Sequence, residues 1–575
     1  MFGSKKKLIA HAPACCNDEN IAGEASSGFQ SVYAKLFLLI CGAVVAYLPL
    51  IFLRSVPLRD VASRYAPMAE AFAQGDFLYA FHPRCQMLHT TVAGSIAYIS
   101  GCDGFTACQY AGFLFFILSV FPLFFLARRI WGASHALMSV CLLLLFSPVV
   151  YELASSGLRD SCKMFVQLLM AHGMICIVQE RDQLKHYLYT GIACGLAVCT
   201  RNELLLSAVT VCFAAGVLDN LSHRFPWRSF AGLFCMFGAS LLELGANTYV
   251  CGYAIPSHRF YKLYQDLLGI EPALGKVLIT TVIPAFLLYP VIVGVFTRFW
   301  RSRYGQQIFW SLTAAAGVCI LGYACVLGAK APDHIPGYLS SVRRGVSPVF
   351  FPLAALGSFV RLKKGLWRLE ECFLAALFVF YVVTVLVQIL IADHYLYVSH
   401  RYLLPAVPLL LPWSWSGVIF LWQELHSRIP FFRHKAILPL LLCSGVLLSL
   451  YFSYQGEINA RIRKKDVAFY KAVREIAARI STVKPQLCKP EFSLMEYRSN
   501  RRPKVYWDFA SKASVGVYLG GGSLSEKPRQ IDFLVSDAAL KSRQLKKKLR
   551  LAGQLRKCGN EIIWGKNRLQ IWKVQ

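Results

Sequence analysis

The sequence predicts an all-α polytopic membrane domain, followed by a small C-terminal α/β domain outside the membrane. Of the 575 residues, 56% are hydrophobic and only 16% are charged, with a mean hydropathy of +0.47, whereas a soluble protein carries about 25% charged residues. Apolar runs of membrane-spanning length recur along the chain, which excludes a single-pass protein. Because the runs are continuous and do not alternate with polar residues, a transmembrane β-barrel is excluded as well. After the last run the chain becomes polar and basic.

The apolar runs locate the predicted spans. A helix needs roughly 20 apolar residues to cross a bilayer, and this criterion predicts about 13 spans. They lie near residues 33–53, 106–127, 134–151, 161–178, 186–200, 204–219, 229–253, 276–297, 306–327, 346–361, 371–392, 402–422 and 436–454. The runs at 186–200 and 204–219 are short, so broken helices are an alternative there. Residues 1–32 form a polar tail whose lysines predict a cytoplasmic N-terminus.

Residues 86–100 decide the predicted topology, because this apolar run is short for a span and contains His89. If it spans, the basic loops between the later spans face outward. If it lies along the interface, those loops face the cytoplasm, which the positive-inside rule favours. We therefore expect a juxtamembrane helix. The outer face then receives 54–105 as the first outer loop, with 152–160, 254–275, 328–345, 393–401 and the chain after about 455.

Residues 455–575 form the predicted C-terminal domain, after a membrane domain over 33–454. A helical segment at 466–480 is followed by strand-like pieces near 504–509, 531–535 and 561–574. This domain has 27 basic and 10 acidic residues, a balance that suits the surface of an anionic membrane.

The net charge of the chain is +30, from 61 Lys and Arg against 31 Asp and Glu residues. In a membrane protein the positive-inside rule explains this excess first, and anionic lipid or a phosphorylated lipid substrate explains it second, so no nucleic acid partner is expected. The 20 cysteines show no CxxC pair or zinc-ligand spacing. Outer-loop His and acidic residues leave a divalent metal possible, but none has the helical spacing of an HExxH site, so no metal ligand is assigned. The glycines at 520–522 lack the Lys-Ser/Thr of a nucleotide-binding loop.

An acidic residue stands just beyond the first predicted span. Asp60 precedes an amphipathic helical segment and a proline-marked turn. A carboxylate at this interface can act as a general base, or can stabilise positive charge that develops on a sugar carbon. The alternative is that Asp60 caps the helix that follows, a task for which Asp is well suited. Spacing alone leaves both interpretations open.

Four short motifs follow one another between residues 35 and 420. The first consists of Asp60, Arg64-Tyr65-Ala66, Gly75-Asp76 and His82-Pro83-Arg84, and the second of Ser147-Pro148 and Gly157-Leu158-Arg159-Asp160. The third is Gly191-Ile192-Ala193-Cys194-Gly195-Leu196-Ala197-Val198-Cys199-Thr200-Arg201. The fourth is His400-Arg401-Tyr402-Leu403-Leu404-Pro405-Ala406-Val407-Pro408. In this order the motifs resemble the polyprenyl-phosphate-sugar-dependent glycosyltransferases of the GT-C type. Within that type, the motifs look most like the protein O-mannosyltransferase and lipid A aminoarabinose transferase branch. The chain departs from that branch at Val61, where the branch has Glu, and at Arg84, where it has a second proline.

The resemblance implies a catalytic role for Asp60 and a donor whose sugar is linked to a polyprenyl phosphate. When the polyprenyl phosphate leaves, it carries negative charge that nearby cations stabilise, and the Arg side chain is well suited to bind a phosphate. The predicted substrate-binding residues are Arg64, Tyr65, His82, Arg84, Asp160, Arg201, Arg343 and Arg401. Asp160 has a second interpretation, slightly preferred, as the cap of the span at 161–178. An alternative interpretation of Arg201 is an interfacial anchor that reaches lipid headgroups. An alternative interpretation of Arg401 is the ion-pair partner of Asp393.

The predicted function is that of a membrane glycosyltransferase, which moves a sugar from a polyprenyl-phosphate donor to a lipid, glycan or protein acceptor at the outer face. The implied compartment is the bacterial inner membrane, or the endoplasmic reticulum in a eukaryote. The alternative is a multispan transporter or flippase for lipids or lipid-linked sugars. Such a protein would show related halves and charges along the membrane midplane. Here no internal repeat is seen, and the charges lie mostly in loops and at span ends.

Overall fold

The computed structural model describes most of the membrane domain and the strands of the C-terminal region. The described residues are 21–53, 61, 65–81, 86–146, 154–223, 225–251, 274–302, 307, 349–391, 400–434, 437–461, 504–507, 523–524, 533–537, 555–557, 562–564 and 567–574.

The described part of the membrane domain is helical. Its α-helices are α1 (Ile21–Leu53), α2 (Ala66–Ala73), α3 (Phe77–Ala80), α4 (Met87–Ser100), α5 (Gly104–Leu118), α6 (Val120–Trp131), α7 (Ala133–Leu145), α8 (Asp160–Gln179), α9 (Leu184–Val198), α10 (Asn202–Ser222), α11 (Trp227–Cys251), α12 (Leu274–Val277), α13 (Ile283–Arg301), α14 (Phe350–Lys363), α15 (Leu369–Ile391), α16 (Val407–Arg428) and α17 (Ile437–Arg461). A π-helical turn at Leu278–Val282 joins α12 to α13, and 3₁₀ segments at His400–Ala406 and Pro430–Arg433 flank α16.

The predicted all-α membrane domain is confirmed. Every predicted span that falls within the described residues coincides with a helix, and the run at 306–327 lies outside them. Seven stretches of the described chain are long and apolar enough to cross a membrane. They are Ser31–Pro49, Gly104–Trp131, Asp160–Gln179, Glu203–Ser222, Trp227–Tyr249, Gly275–Arg301 and Arg401–Arg428. The total of about 13 spans stays a prediction.

The segment at 86–100 is helical, as predicted, and forms α4. Gly101 ends the helix with a φ of 67°, in the left-handed region that glycine adopts most easily. The helix packs against α2 and α5, and the approach at Gly94 is so close that a Cβ there would lie 2.5 Å from the Phe72 side chain. Its position beside the membrane, rather than across it, stays a prediction.

Helix α8 lies at the centre of the bundle, because it contacts α5, α6, α9, α10 and α15. Nearly all of its side chains are buried. A helix that is apolar all round is typical of such a central position. The N-terminus of α8 therefore meets the ends of several neighbouring helices, and the candidate site lies there.

Small residues allow α9 and α11 to pack backbone to backbone. A Cβ on Gly191 would overlap the carbonyl oxygen of Gly232, and one on Gly195 would lie 2.6 Å from the carbonyl oxygen of Met236. Glycines spaced four residues apart are a common device for close helix packing in membranes. The two glycines of the third motif thus hold α9 in place just before Arg201.

The strands after the membrane domain form one mixed sheet. They are β1 (Lys504–Trp507), β2 (Ser523–Leu524), β3 (Phe533–Asp537), β4 (Leu555–Lys557), β5 (Ile562–Trp564) and β6 (Asn567–Val574). The order is β2-β1-β3-β6-β4, with β5 also pairing with β6. The pairs of β1 with β2 and β3 are parallel, and the pairs of β6 are antiparallel. The three predicted strand regions are therefore found, whereas the predicted helix at 466–480 lies outside the described residues and the domain bounds stay a prediction.

The contact between α9 and α11 predicts unequal effects of two glycine substitutions. Gly191→Ala should destabilise the protein by about 1–3 kcal/mol, because its methyl group has no space beside Gly232. Gly238→Ala on α11 is the matched control, since a Cβ there meets nothing within 4 Å, and it should be neutral or stabilise by up to about 1 kcal/mol. Thermal unfolding in detergent micelles measures both. Equal melting temperatures for the two variants would contradict the proposed packing role.

Candidate active site

A tight turn fixes where α8 begins and so places Asp160. Gly157 has a φ of 75°, which glycine adopts without strain, and a Cβ there would lie 3.1 Å from the Cβ of Cys108. The side-chain amide of Gln109 donates a hydrogen bond to the carbonyl oxygen of Ser155 at 3.0 Å. Close packing of this turn on α5 therefore determines the position of the first turn of α8.

Asp160 is the centre of a buried ion cluster. Its carboxylate pairs with the ammonium of Lys163, three residues along α8, and lies 3.9 Å from the guanidinium Nη1 of Arg201. The side chains of Asp160 and Lys163 are 1% and 0% exposed. Buried charges are tolerated when they are paired, so these three side chains act as one unit.

The preferred interpretation of Asp160 from the sequence, as the N-terminal cap of the span at 161–178, is wrong. Asp160 is the first residue of α8, Arg159 occupies the N-cap position, and no side chain caps this end through a hydrogen bond. The physical reason is burial, because a carboxylate this deep gains more from two cationic partners than from one backbone N–H. Its negative charge also lies at the positive end of the helix dipole.

Arg201 follows α9 and turns into the protein. Its Nε lies 2.7 Å from Oε2 of Glu203, and only 14% of its side chain is exposed. These contacts do not fit an anchor that reaches lipid headgroups. Burial on its own would lower the pKa of Arg201, but the neighbouring Glu203, Tyr402 and Asp160 raise it well above its ordinary value. The guanidinium therefore stays charged.

Three cations surround the aromatic ring of Tyr402. The distances to the ring centroid are 5.4 Å for Lys163 Nζ, 4.7 Å for Arg201 Cζ and 5.3 Å for Arg401 Cζ. The negative face of an aromatic ring attracts cations at such distances. The backbone carbonyl of Tyr402 accepts a hydrogen bond from the hydroxyl of Tyr381 at 2.8 Å, which ties this 3₁₀ segment to α15.

Arg159 extends the cluster toward the first outer loop. Its Nη1 donates a hydrogen bond to Oε1 of Gln86 at 2.8 Å, and its Cζ lies 5.5 Å from the ring centroid of Tyr65. The other neighbour of Tyr65 is His89, with 5.6 Å between ring centroids in an edge-on arrangement. The predicted residue Tyr65 is therefore linked through Arg159 to the helix end that carries Asp160.

A carboxylate from α11 fixes the beginning of α4. Oε2 of Glu243 accepts a hydrogen bond from the backbone N–H of Met87 at 2.8 Å. The next N–H, of Leu88, donates to the carbonyl oxygen of Cys199 at 3.0 Å. These bonds satisfy N–H groups that a helix leaves unpaired at its N-terminus. The end of the first outer loop is thereby tied to both α9 and α11.

Positive charge exceeds negative charge among the described residues of this site. The cations are Arg159, Lys163, Arg201 and Arg401, and the carboxylates are Asp160 and Glu203. Four cations against two carboxylates leave an excess of two positive charges. Such an excess of positive charge in a buried site favours an anionic ligand. Phosphate is an anion that Arg and Lys bind well.

The structure brings together four predicted residues, Tyr65, Asp160, Arg201 and Arg401. Asp60, Arg64, His82, Arg84 and Arg343, together with Asp393, lie outside the described residues, so their roles stay predictions. Within the described part of the chain, no group of three or more His, Cys, Asp or Glu side chains is placed to hold a metal ion.

Sequence reasoning did not assign three charged members of the cluster, Arg159, Lys163 and Glu203. A signal for Lys163 was present, because a lysine inside an apolar run is costly and usually functional. Its spacing from Asp160 also places both on one helix face. Glu203 stands two residues after Arg201, and nothing in the local sequence distinguishes it from a solvated loop acid.

The described helices thus form a bundle with a buried basic cluster where several helix ends meet. Residues 88–242 match the family described as dolichyl-phosphate-mannose-protein mannosyltransferase. The matched segment contains both Asp160 and Arg201. The predicted similarity to GT-C type glycosyltransferases is confirmed over this segment, which is 155 of the 575 residues. No sequence among the curated proteins matches the chain.

Several solved structures are similar to this chain, among them the following three. ArnT from Cupriavidus metallidurans bound to undecaprenyl phosphate is 14% identical, with 95% of this chain and 98% of that chain covered and a TM-score of 0.49. The Archaeoglobus fulgidus oligosaccharyltransferase in complex with Zn and sulfate is 11% identical, with 88% and 69% covered and a TM-score of 0.45. AglB from A. fulgidus, in complex with an inhibitory peptide and a dolichol-phosphate, is 11% identical, with 88% and 70% covered and a TM-score of 0.45.

The ion cluster predicts strong coupling between Asp160 and Lys163. Asp160→Asn or Lys163→Met alone should cost about 3–5 kcal/mol, since each leaves a buried charge without its partner. The double variant should cost clearly less than the sum, because both charges are gone. Unfolding in mixed micelles measures this cycle. The exposed pair Glu424 and Arg428 is the control and should couple by at most about 0.5 kcal/mol. Additive losses at Asp160 and Lys163 would contradict the cluster.

His89 predicts a loss of stability in acid. Burial first, and then the charge of Arg159, lower the pKa of His89 from 6.5 to about 3, against an opposing effect of Asp160. The unfolded chain takes up this proton near pH 6.5, whereas the folded chain does not, so stability falls as the pH drops from about 6.5 toward 3.

His89→Phe should therefore lose less melting temperature than the wild type between pH 7 and about pH 4.5. The exposed His434 provides the control, because His434→Phe should follow the wild-type curve. Thermal unfolding at a series of pH values tests this, and parallel curves for wild type and His89→Phe would show that His89 does not contribute.

Proposed function

We propose that this protein transfers a sugar from a polyprenyl-phosphate donor to a hydroxyl group of a lipid, glycan or protein acceptor. The transfer takes place at the extracytoplasmic face of the membrane. The matched family is named for a mannose donor carried on a lipid phosphate, which is the donor class that the four motifs indicate. The activity is that of a glycosyltransferase, and the donor, acceptor and side of the membrane are the proposal.

The observation that supports this donor best is the cationic cluster around Tyr402. Lys163, Arg201 and Arg401 all lie within 5.4 Å of its ring centroid, on helix ends where a lipid phosphate arrives from the bilayer. Coulomb attraction is strong in a site with little water. A phosphate held there gains from the excess of positive charge, and Asp160 and Glu203 hold the cations in position.

The reaction follows from this arrangement. The acceptor oxygen attacks the anomeric carbon of the sugar, the bond from that carbon to the phosphate oxygen breaks, and polyprenyl phosphate leaves with one more negative charge. Arg201 and its neighbouring cations stabilise that developing charge, which is the most productive place for electrostatic assistance. Asp60, for which the family resemblance implies a catalytic role, acts as the general base and accepts the proton of the acceptor hydroxyl.

The side of the membrane is inferred from the charges of the loops. Tyr65, Asp160, Arg201 and Arg401 come from four separate segments of the chain, and the contacts between them require one common face of the membrane. The positive-inside rule assigns that face to the outside. For a bacterial chain, the site then opens to the periplasmic side of the inner membrane.

Release of polyprenyl phosphate from radiolabelled polyprenyl-phosphate sugars tests the proposal, using protein purified into lipid. Wild type should release it from at least one donor. Arg201→Met should be slower by about 100- to 1,000-fold, because the charge on the leaving phosphate is then poorly stabilised. Asp60→Asn should be slower by at least about 100-fold, because the proton acceptor is removed.

Arg228→Met is the control for Arg201→Met. The Arg228 side chain is similarly buried, at 16% exposed and 3.8 Å from Asp219, and it lies over the ring of Trp227, far along the chain from every motif. This variant should keep wild-type release. Release that persists in Asp60→Asn would move the catalytic acid elsewhere, whereas donor movement between leaflets without any release would favour the flippase.

A further inference from the structure

One face of α4 carries buried polar atoms that lack partners. His89 and Thr90 are 2% and 1% exposed. Neither ring nitrogen of His89 nor the hydroxyl of Thr90 has a hydrogen-bond partner among the described residues, and the same is true of Nε of Arg159. Native proteins pair the large majority of their buried polar atoms. Four such atoms on adjacent side chains therefore indicate an occupant that hydrogen-bonds.

These atoms lie at the sugar end of the proposed site. Gln86 precedes α4 as its N-cap residue, and His89 and Thr90 lie in the first turn of the helix. Gln86 accepts a hydrogen bond from Arg159, which is adjacent to Asp160 in the chain. The ring of Tyr65 lies between Arg159 and His89.

We propose that this face of α4, together with Tyr65 and Arg159, is the pocket for the transferred sugar, and that His89 binds one of its hydroxyl groups. The inference rests on the proposed function. A sugar ring presents hydroxyl donors and acceptors at its rim and C–H groups on its faces. A pocket lined by an aromatic ring, a hydroxyl and an imidazole has the matching groups.

The protonation state of His89 suits this role. Burial and the charge of Arg159 lower its pKa to about 3, so the ring is neutral at physiological pH. A neutral imidazole donates from one nitrogen and accepts at the other, and a single sugar hydroxyl can use either. A charged ring would instead repel Arg159.

The experiment compares donors that lack one hydroxyl at a time. Wild type, His89→Phe and Thr90→Val are reconstituted in lipid, and kcat/KM is measured for the parent polyprenyl-phosphate sugar and for its deoxy analogues. His89→Phe should lower kcat/KM for the parent donor by about 10- to 100-fold, since a site built to bind a hydroxyl discriminates strongly. For one deoxy analogue the variant and the wild type should be equal, because the hydroxyl that His89 binds is already missing.

Two further variants separate binding from folding. His89→Gln keeps an amide donor and acceptor and should recover part of the lost activity. His172→Phe is the control for replacing a histidine inside the helical bundle, because the half-buried His172 has a protein partner in the hydroxyl of Tyr189 at 3.3 Å. It should lower kcat/KM for all donors by one common factor or by none.

The outcomes divide cleanly. A uniform loss over all donors in His89→Phe, or no loss at all, overturns the sugar pocket and indicates a structural role or an ordered water at His89. In that case wild-type release of polyprenyl phosphate still supports the proposed function. If wild type releases polyprenyl phosphate from no donor, the proposed function fails and the sugar pocket fails with it.

Discussion

Charge buried inside a bundle of apolar helices is the constraint on which this structure depends. Removing an ion from water costs several kcal/mol even after relaxation, so Asp160 and Lys163 are stable only when their partners are present. Their partners come from the junction between α9 and α10 and from the 3₁₀ segment before α16. The helix ends must therefore meet at one place, and the tight glycine contacts between α9 and α11 hold one of these ends where the charges require it.

The site has two ends that differ in chemistry. Around Tyr402 the groups are cationic and suited to a phosphate. Around His89 they are neutral, aromatic or hydroxyl groups, suited to a polar ring without charge. Arg159 belongs to both, because it hydrogen-bonds Gln86 and precedes Asp160 on the chain. A donor with a charged phosphate and an uncharged sugar has the same division.

Most of the membrane fold could be predicted from the sequence, because the bilayer requires long apolar helices and the apolar runs are visible in the chain. The C-terminal strands were predictable for a similar reason, from short strand-like pieces rich in β-branched and aromatic residues. The site was predictable only in part. Asp160, Arg201 and Arg401 were identified by their motifs, yet the role of Asp160 as a cap was wrong, because local spacing does not show that Arg201 and Tyr402 lie beside it. Glu243 gave no signal at all, since its partner Met87 is 156 residues away.

The hydrogen bond between Glu243 and Met87 also has a consequence for biosynthesis, because its two partners are synthesised at different times. The ribosome completes α4 long before it reaches Glu243, so the first turn of α4 has no capping carboxylate while α5 to α10 are being inserted. The partners of Arg201 around Tyr402 are synthesised later still. Biogenesis therefore passes through a stage at which the whole matched family segment has been synthesised and the cluster around Tyr402 is still incomplete. A chain truncated before residue 400 would lack Arg401 and Tyr402 and would remain at that stage.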